Sequence, residues 1–267
     1  MIALWRHFLI HLFRTRLFYF CLGLSFLAFF IPLKLADAIT IHVQEMEQAI
    51  TGENIFLVLF FVAMSLGGFI AMVYGVWVVP YLHQGPRVFL SFGLPVAKWK
   101  VPIAYALTFL CLIALQNTIM FTLHGFLFGY EAYAEGFPIE GILMAQLFQI
   151  LSLEVSMFMF ATLALFFGRI AATVLGTSIF TIAQICGFIF ATDLGVEIQS
   201  KSAGLTLVRH VYEILPPWDK VLVRVSAQLK DASLPDPQLV PWVIWLLLLG
   251  AVFVIGLRFP LLTKGTD

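Results

Sequence analysis

The chain has 267 residues, of which 61% are hydrophobic, 15% aromatic and 11% charged, and its mean hydropathy is +1.00. A soluble globule carries roughly 25% charged residues, so this composition excludes one, and apolar runs long enough to cross a bilayer's roughly 30 Å hydrocarbon core recur along the chain. Fifteen basic and fifteen acidic residues cancel, which argues against a nucleic-acid partner.

From the N-terminus, Trp5, Phe8, Leu9 and Leu12 share one helical face while Arg6, His7 and Arg14 point elsewhere. This pattern predicts an interfacial elbow helix over residues 1–16. His7 and His11 stand at i and i+4, but no carboxylate or cysteine accompanies them, and interfacial basic character accounts for the pair. Six spans follow, at about residues 17–36, 55–79, 102–124, 141–167, 170–192 and 239–257. The predicted fold is therefore all-α, a single polytopic transmembrane domain over 1–267. A competing reading of the first span as a cleaved signal peptide has Ala36-Asp37-Ala38 as its site; Pro32, Lys34 and an unusually long basic region count against it.

Span two carries no charge over 25 residues, about 38 Å of helix, and so must tilt or protrude. Only Gly168 and Arg169 separate spans four and five. After span five, residues 193–238 carry two amphipathic patterns around Pro216-Pro217. Leu205, Val208, Val211, Tyr212 and Leu215 form one face; Trp218, Val221, Leu222, Val225 and Leu229 form the other. Such helices lie at the outer membrane interface or dip into it, as a cap on the bundle or as an exit gate. Cys21, Cys111 and Cys186 lie far apart in apolar runs and form neither a disulfide framework nor a metal knuckle. The first outer loop gathers His42, Glu45, Met46 and Glu47, with no metal-ligand spacing behind them.

Sorting charges by alternate loops orients the chain. One side collects Arg6, Arg14, Arg16, Arg87, Lys98, Lys100, Arg169, Arg258 and Lys264 with a single acid, Asp267; the other holds thirteen acids and six bases. The basic side is cytoplasmic by the positive-inside rule, which places both termini in the cytoplasm.

The inner loop at 80–101 is bracketed by Pro86 and Pro95 and holds Val88, Phe89, Leu90 and Phe92, too few apolar residues to span, flanked by bases. A mere connection seldom presents four apolar residues to cytosol without a partner. Here the chain resembles the membrane (permease) subunit of a type-2 ATP-binding-cassette exporter. Members of that family carry a basic residue and a Leu-Ser-x-Pro-Val-Ser-Arg-like run between their second and third spans. Arg87, Leu90, Ser91, Leu94, Pro95, Val96, Ala97, Lys98 and Trp99 stand in those places, with Phe92-Gly93 as a longer spacer and Lys98 where Arg is usual. The elbow, the six spans, the tight turn between the fourth and fifth, and Leu215-Pro216-Pro217 before the sixth extend the resemblance to the whole layout.

The resemblance implies that residues 80–101 form a coupling helix that docks on a separate cytoplasmic ATPase, through Arg87, Phe89, Leu90, Ser91, Leu94, Pro95, Lys98 and Trp99. It also implies a second permease copy or a paralogue, and a location in the bacterial cytoplasmic (inner) membrane. No G-x-x-x-x-G-K-[ST] phosphate cradle occurs in the chain, so ATP and magnesium belong to the partner, and the expectation is a non-catalytic subunit with no cofactor or metal of its own.

Glu154 is the only acid deep within a span. Its insertion costs at least roughly 2.5–3.5 kcal/mol, so it is expected to face the bundle interior, a cavity or a partner, either as a polar point of the translocation path or dimer interface or as a protonated, hydrogen-bonded structural group. Gln116, Asn117, Gln146, Gln149 and Gln184 are its candidate neighbours. Small residues in span two (Ser65, Gly67, Gly68, Ala71) and around the start of span five (Gly168, Ala171, Ala172, Gly176) are expected to pack helices within one subunit. An intramembrane protease would require G-x-S-x-G or H-E-x-x-H, and neither occurs. A secondary carrier would show several intramembrane charges where this chain has one. A non-transporting assembly factor is the remaining alternative.

Overall fold

The computed structural model describes residues 2–14, 52–83, 99–128, 139–191, 215–220 and 239–257, with scattered helical positions between 16 and 27 and at 210–213. The helices described in full run in order: α1 (Ile2–Arg14), α2 (Gly52–His83), α3 (Lys100–Phe128), α4 (Ile139–Phe167), α5 (Arg169–Ala191) and α6 (Leu239–Gly256), with a 3-10 turn at Trp218–Lys220 before the last. Among the described residues there is no strand, as expected where each backbone polar group must be satisfied within its own segment. Among the described residues four stretches are long and apolar enough to cross a membrane: Lys100–Ile119, Glu140–Phe167, Arg169–Cys186 and Leu239–Gly256. The shorter apolar stretch Val62–Trp77 lies within α2.

The architecture is organised around α4, which packs chiefly on α2 and α6 and then on α5. From Ser152 to Thr162 every residue of α4 is buried, so that turn after turn is enclosed on all sides. Glycines allow the close approach. A Cβ placed on Gly75 of α2 would stand 2.6 Å from the Met157 carbonyl oxygen, and one on Gly67 would stand 2.6 Å from Leu153 Cδ1. The first of these is a backbone-to-backbone approach that no side-chain rotation could relieve. On the other flank Gly176 of α5 lies against the Phe160 ring, and Gly256 of α6 lies against Leu165. Ala71 and Ala172 are fully buried in the same contacts.

The reversal between α4 and α5 takes one residue. Gly168 has φ +81°, the left-handed conformation that ends helices and that glycine adopts without steric cost. Its N–H donates to the Ala164 carbonyl (3.1 Å), and its own carbonyl accepts from the Ala172 N–H (3.0 Å). Arg169 is already the first residue of α5.

Helix α1 packs on α3 through Leu4, Phe8 and Leu12, all buried, with Trp5 packed beside them. Phe8 stacks on Tyr105 of α3 with ring centroids 4.3 Å apart and planes 15° apart. Leu4 extends the apolar face read from Trp5, Phe8, Leu9 and Leu12 by one turn.

A candidate polar site around helix α4

The interior of the helical bundle is not uniformly apolar. Thr108, Gln116, Asn117, Gln149, Ser152, Glu154, Ser156 and Thr162 are all buried, and α4 supplies five of the eight. Buried polar groups cost free energy unless they find partners, and most of these do. Asn117 and Gln149 exchange amide hydrogen bonds between α3 and α4, Nδ2 to Oε1 at 3.1 Å and Nε2 to Oδ1 at 3.3 Å. Gln116 Nε2 donates to the Ala63 carbonyl of α2 (3.1 Å), clamping α3 to α2 at the same level. Ser152 and Ser156 bond back into α4, on the Gln149 carbonyl and the Ser152 carbonyl, each at 2.8 Å. Such back-bonding removes the hydroxyl's desolvation cost without a second helix.

Glu154 is only 6% exposed, which places it inside the bundle. Of the amides chosen as its candidate neighbours, Asn117 and Gln149 bond to each other, Gln116 Nε2 reaches α2, and Gln184 is exposed on α5. The hydroxyl of Tyr74, on α2, is the group that interacts electrostatically with Glu154, and Thr108 of α3 is a side-chain hydrogen-bond partner of that hydroxyl. Thr108 also donates to the Ala104 carbonyl at 2.7 Å. No donor among the described residues reaches Glu154 Oε2.

Tyr74 also joins this point to the N-terminal helix. Its ring lies 5.4 Å from Phe109 and edge-on to Tyr105 at 6.5 Å, and Tyr105 in turn carries Phe8 of α1. A run of aromatic contacts thus leads from α1 through α3 and α2 to the carboxyl on α4. Sequence reasoning missed Tyr74 and Thr108 because one hydroxyl does little to interrupt an apolar run; the usable signal is that each lies on the buried stripe of its helix.

The segment before α6 enters this interior from the other side. Pro216 is buried and Trp218 is 4% exposed. The indole Nε1–H of Trp218 donates to Ser156 Oγ on α4 (2.9 Å), and its ring lies 5.5 Å from that of Phe180 on α5. Ala145, Phe148, Val155, Met159, Phe160, Ala183 and Trp242 complete the cluster around it. Pro216 and Trp218 therefore reach into the bundle, while Lys220 is exposed; most of the two amphipathic stretches on either side lies outside the described residues.

Of the eight loop residues expected to meet an ATPase, Arg87, Phe89, Leu90, Ser91, Leu94, Pro95 and Lys98 lie outside the described residues. Trp99 stands just before α3, is 55% exposed, and has Lys100 Nζ 5.6 Å from its ring centroid. The small residues read as packing positions do pack within the chain at Gly67, Ala71, Ala172 and Gly176. Gly68 and Gly168 face open space, and Gly75, the closest approach of α2 to α4, was not among them. Cys111 and Cys186 are unpaired thiols. Among the described residues no three His, Cys, Asp or Glu side chains gather to hold a metal ion.

These observations define an all-helical chain of membrane type, with a buried polar core centred on α4. Comparison with protein families, characterised proteins and solved structures finds no match in any of the three.

Proposed function

We propose that the chain is the membrane subunit of an ATP-binding-cassette exporter, forming the translocation path with a second copy or a paralogue and driven by a separate cytoplasmic ATPase. The observation that carries the reading is the base-flanked apolar stretch between α2 and α3, from Arg87 to Trp99. Phe89, Leu90 and Leu94 supply the apolar anchors that a groove on a partner takes up, and Arg87 and Lys98 supply charge for its rim. Trp99, exposed just before α3, and Lys100 beside its ring supply a further aromatic and basic pair at the end of that stretch.

The reading includes six spans, α1 as an elbow on the inner leaflet, both termini in the cytoplasm and a bacterial inner membrane. The apolar α1 face against α3, the single-residue reversal at Gly168 and the buried Pro-Pro-Trp segment all suit it. Nucleotide binding would close the ATPases, and the loop would pass that movement to α2 and α3, which meet α4 at the level of Tyr74 and Glu154.

The test is co-purification of the full chain with the ATPase encoded beside it, for the natural chain and for a Leu90→Glu, Leu94→Glu double variant. The expected result is a stable complex that the double variant loses while still inserting in the membrane. A chain that purifies alone, or a double variant that retains its ATPase, overturns the assignment.

A second reading, a proton-coupled carrier, draws on one observation, the Glu154 oxygen buried without a donor. Transport driven by a proton gradient without ATP, and abolished in Glu154→Gln, would favour it over the exporter.

A further inference from the structure

At the end of the bundle where α4 turns into α5, a groove of about 250 Å³ opens between α2 and the first turn of α5. Met72, Val73, Val76 and Trp77 form its α2 wall, and Arg169 and Thr173 form the other. The apolar wall is continuous over more than one turn of α2, and Arg169 is the one charged residue of the lining. Arg169 stands at the very start of the membrane-length stretch Arg169–Cys186. It therefore lies at the level where hydrocarbon gives way to headgroups, the depth that Arg favours, and Trp77 lines the groove opposite it. Among the described residues no carboxylate pairs with Arg169. The Thr173 hydroxyl is committed to the Arg169 carbonyl at 3.0 Å, which leaves the guanidinium as the group that would meet a ligand. The α5 N-terminus adds partial positive charge at the same point.

We propose that this groove holds an acidic phospholipid, with the headgroup phosphate on Arg169 and one acyl chain along Met72, Val73 and Val76. Charge and shape both select it. A cation at the mouth of an otherwise apolar groove, opening at headgroup depth, matches an anion with a hydrocarbon tail and gives a zwitterionic lipid little advantage. The volume falls below the roughly 300–1,000 Å³ of sites that enclose a small solute, and suits part of one chain with the remainder in the bilayer. Because the groove joins α2 to the α4–α5 reversal, its occupant would tie the two together. The proposal stands apart from the exporter reading and does not depend on an ATPase.

The experiment is native mass spectrometry of the full chain in detergent, titrated separately with dioleoyl phosphatidylglycerol and dioleoyl phosphatidylcholine. One basic residue at headgroup depth gives about a fivefold preference for the anionic lipid. That preference is expected to persist in Arg169→Lys and to vanish in Arg169→Gln. Val73→Phe, which fills the groove and leaves every charge in place, is expected to weaken phosphatidylglycerol binding to the level of phosphatidylcholine. Equal binding of the two lipids by the natural chain overturns the proposal. So does a preference that survives Arg169→Gln, or one that Val73→Phe leaves unchanged, since the lipid would then be held by other bases.

Discussion

Helices α4 and α6 are both long and strongly apolar, with mean hydropathies of 2.0 and 2.5 over their membrane-length stretches, yet 72% of the first is buried and only 17% of the second. Hydropathy alone ranks them in the wrong order for burial. In a bilayer the lipid is as apolar as leucine, so an apolar side chain gains little by leaving the surface for the interior. Polar atoms are what separate the two environments. Helix α4 carries Gln149, Ser152, Glu154, Ser156 and Thr162, all buried; α6 has no polar side chain but its two tryptophans, and shows Leu247, Leu248, Ile244 and Val240 on its surface.

The largest effect that distinguishes the two helices is expected from charge. Leu247→Lys, at the exposed middle of α6, places an ammonium in lipid and is expected to cost about 3 kcal/mol of insertion free energy, read as a lower inserted fraction in a glycosylation-reporter assay. An unchanged fraction would show that this face of α6 meets water or protein.

Next in size is the packing contrast. Gly75→Ala forces a methyl against the Met157 carbonyl and is expected to destabilise the chain by about 1–3 kcal/mol, seen as a lower thermal midpoint in detergent. Gly250→Ala on α6 meets open space and is expected to be neutral or to stabilise by up to about 1 kcal/mol. Equal effects would mean that α2 and α4 do not approach this closely.

A smaller effect belongs to the buried Pro-Pro-Trp segment. Trp218→Phe keeps the ring but removes the donor to Ser156, at an expected cost of about 1 kcal/mol. Paired with Ser156→Ala in a double-mutant cycle, it should give a coupling of similar size; additive losses would break the link between this segment and α4. The smallest effect is expected for the amide pair, where a cycle on Asn117→Ala and Gln149→Ala should return about 0.6 kcal/mol, the average for such bonds inside membrane proteins.

The helical class and the membrane-length helices are legible in the sequence because both follow from counts of apolar residues. The burial of Glu154 is legible too, since a lone carboxyl on an apolar helix has few other stable places. The group it meets was not: Tyr74 stands 80 positions away by sequence number, and no one-dimensional pattern pairs it with Glu154. Asn117 and Gln149, which look like better partners, satisfy each other instead, as amides with both donors and acceptors can. Gly75 escaped notice because one glycine in a long apolar run looks the same whether it touches lipid or another backbone. Trp218 reads in sequence as one member of an amphipathic face, and its burial follows from the proline pair that turns the chain inward at Pro216 and Pro217.

The loop proposed to bind an ATPase and the exposed face of α6 together offer the most direct test of the central claim. A photo-crosslinking amino acid at Leu90, in the loop between α2 and α3, is compared in cells with the same group at Leu247 on α6. The account predicts an adduct with a nucleotide-binding ATPase from Leu90 and none from Leu247. No ATPase adduct at Leu90, or equal adducts at both positions, would contradict it.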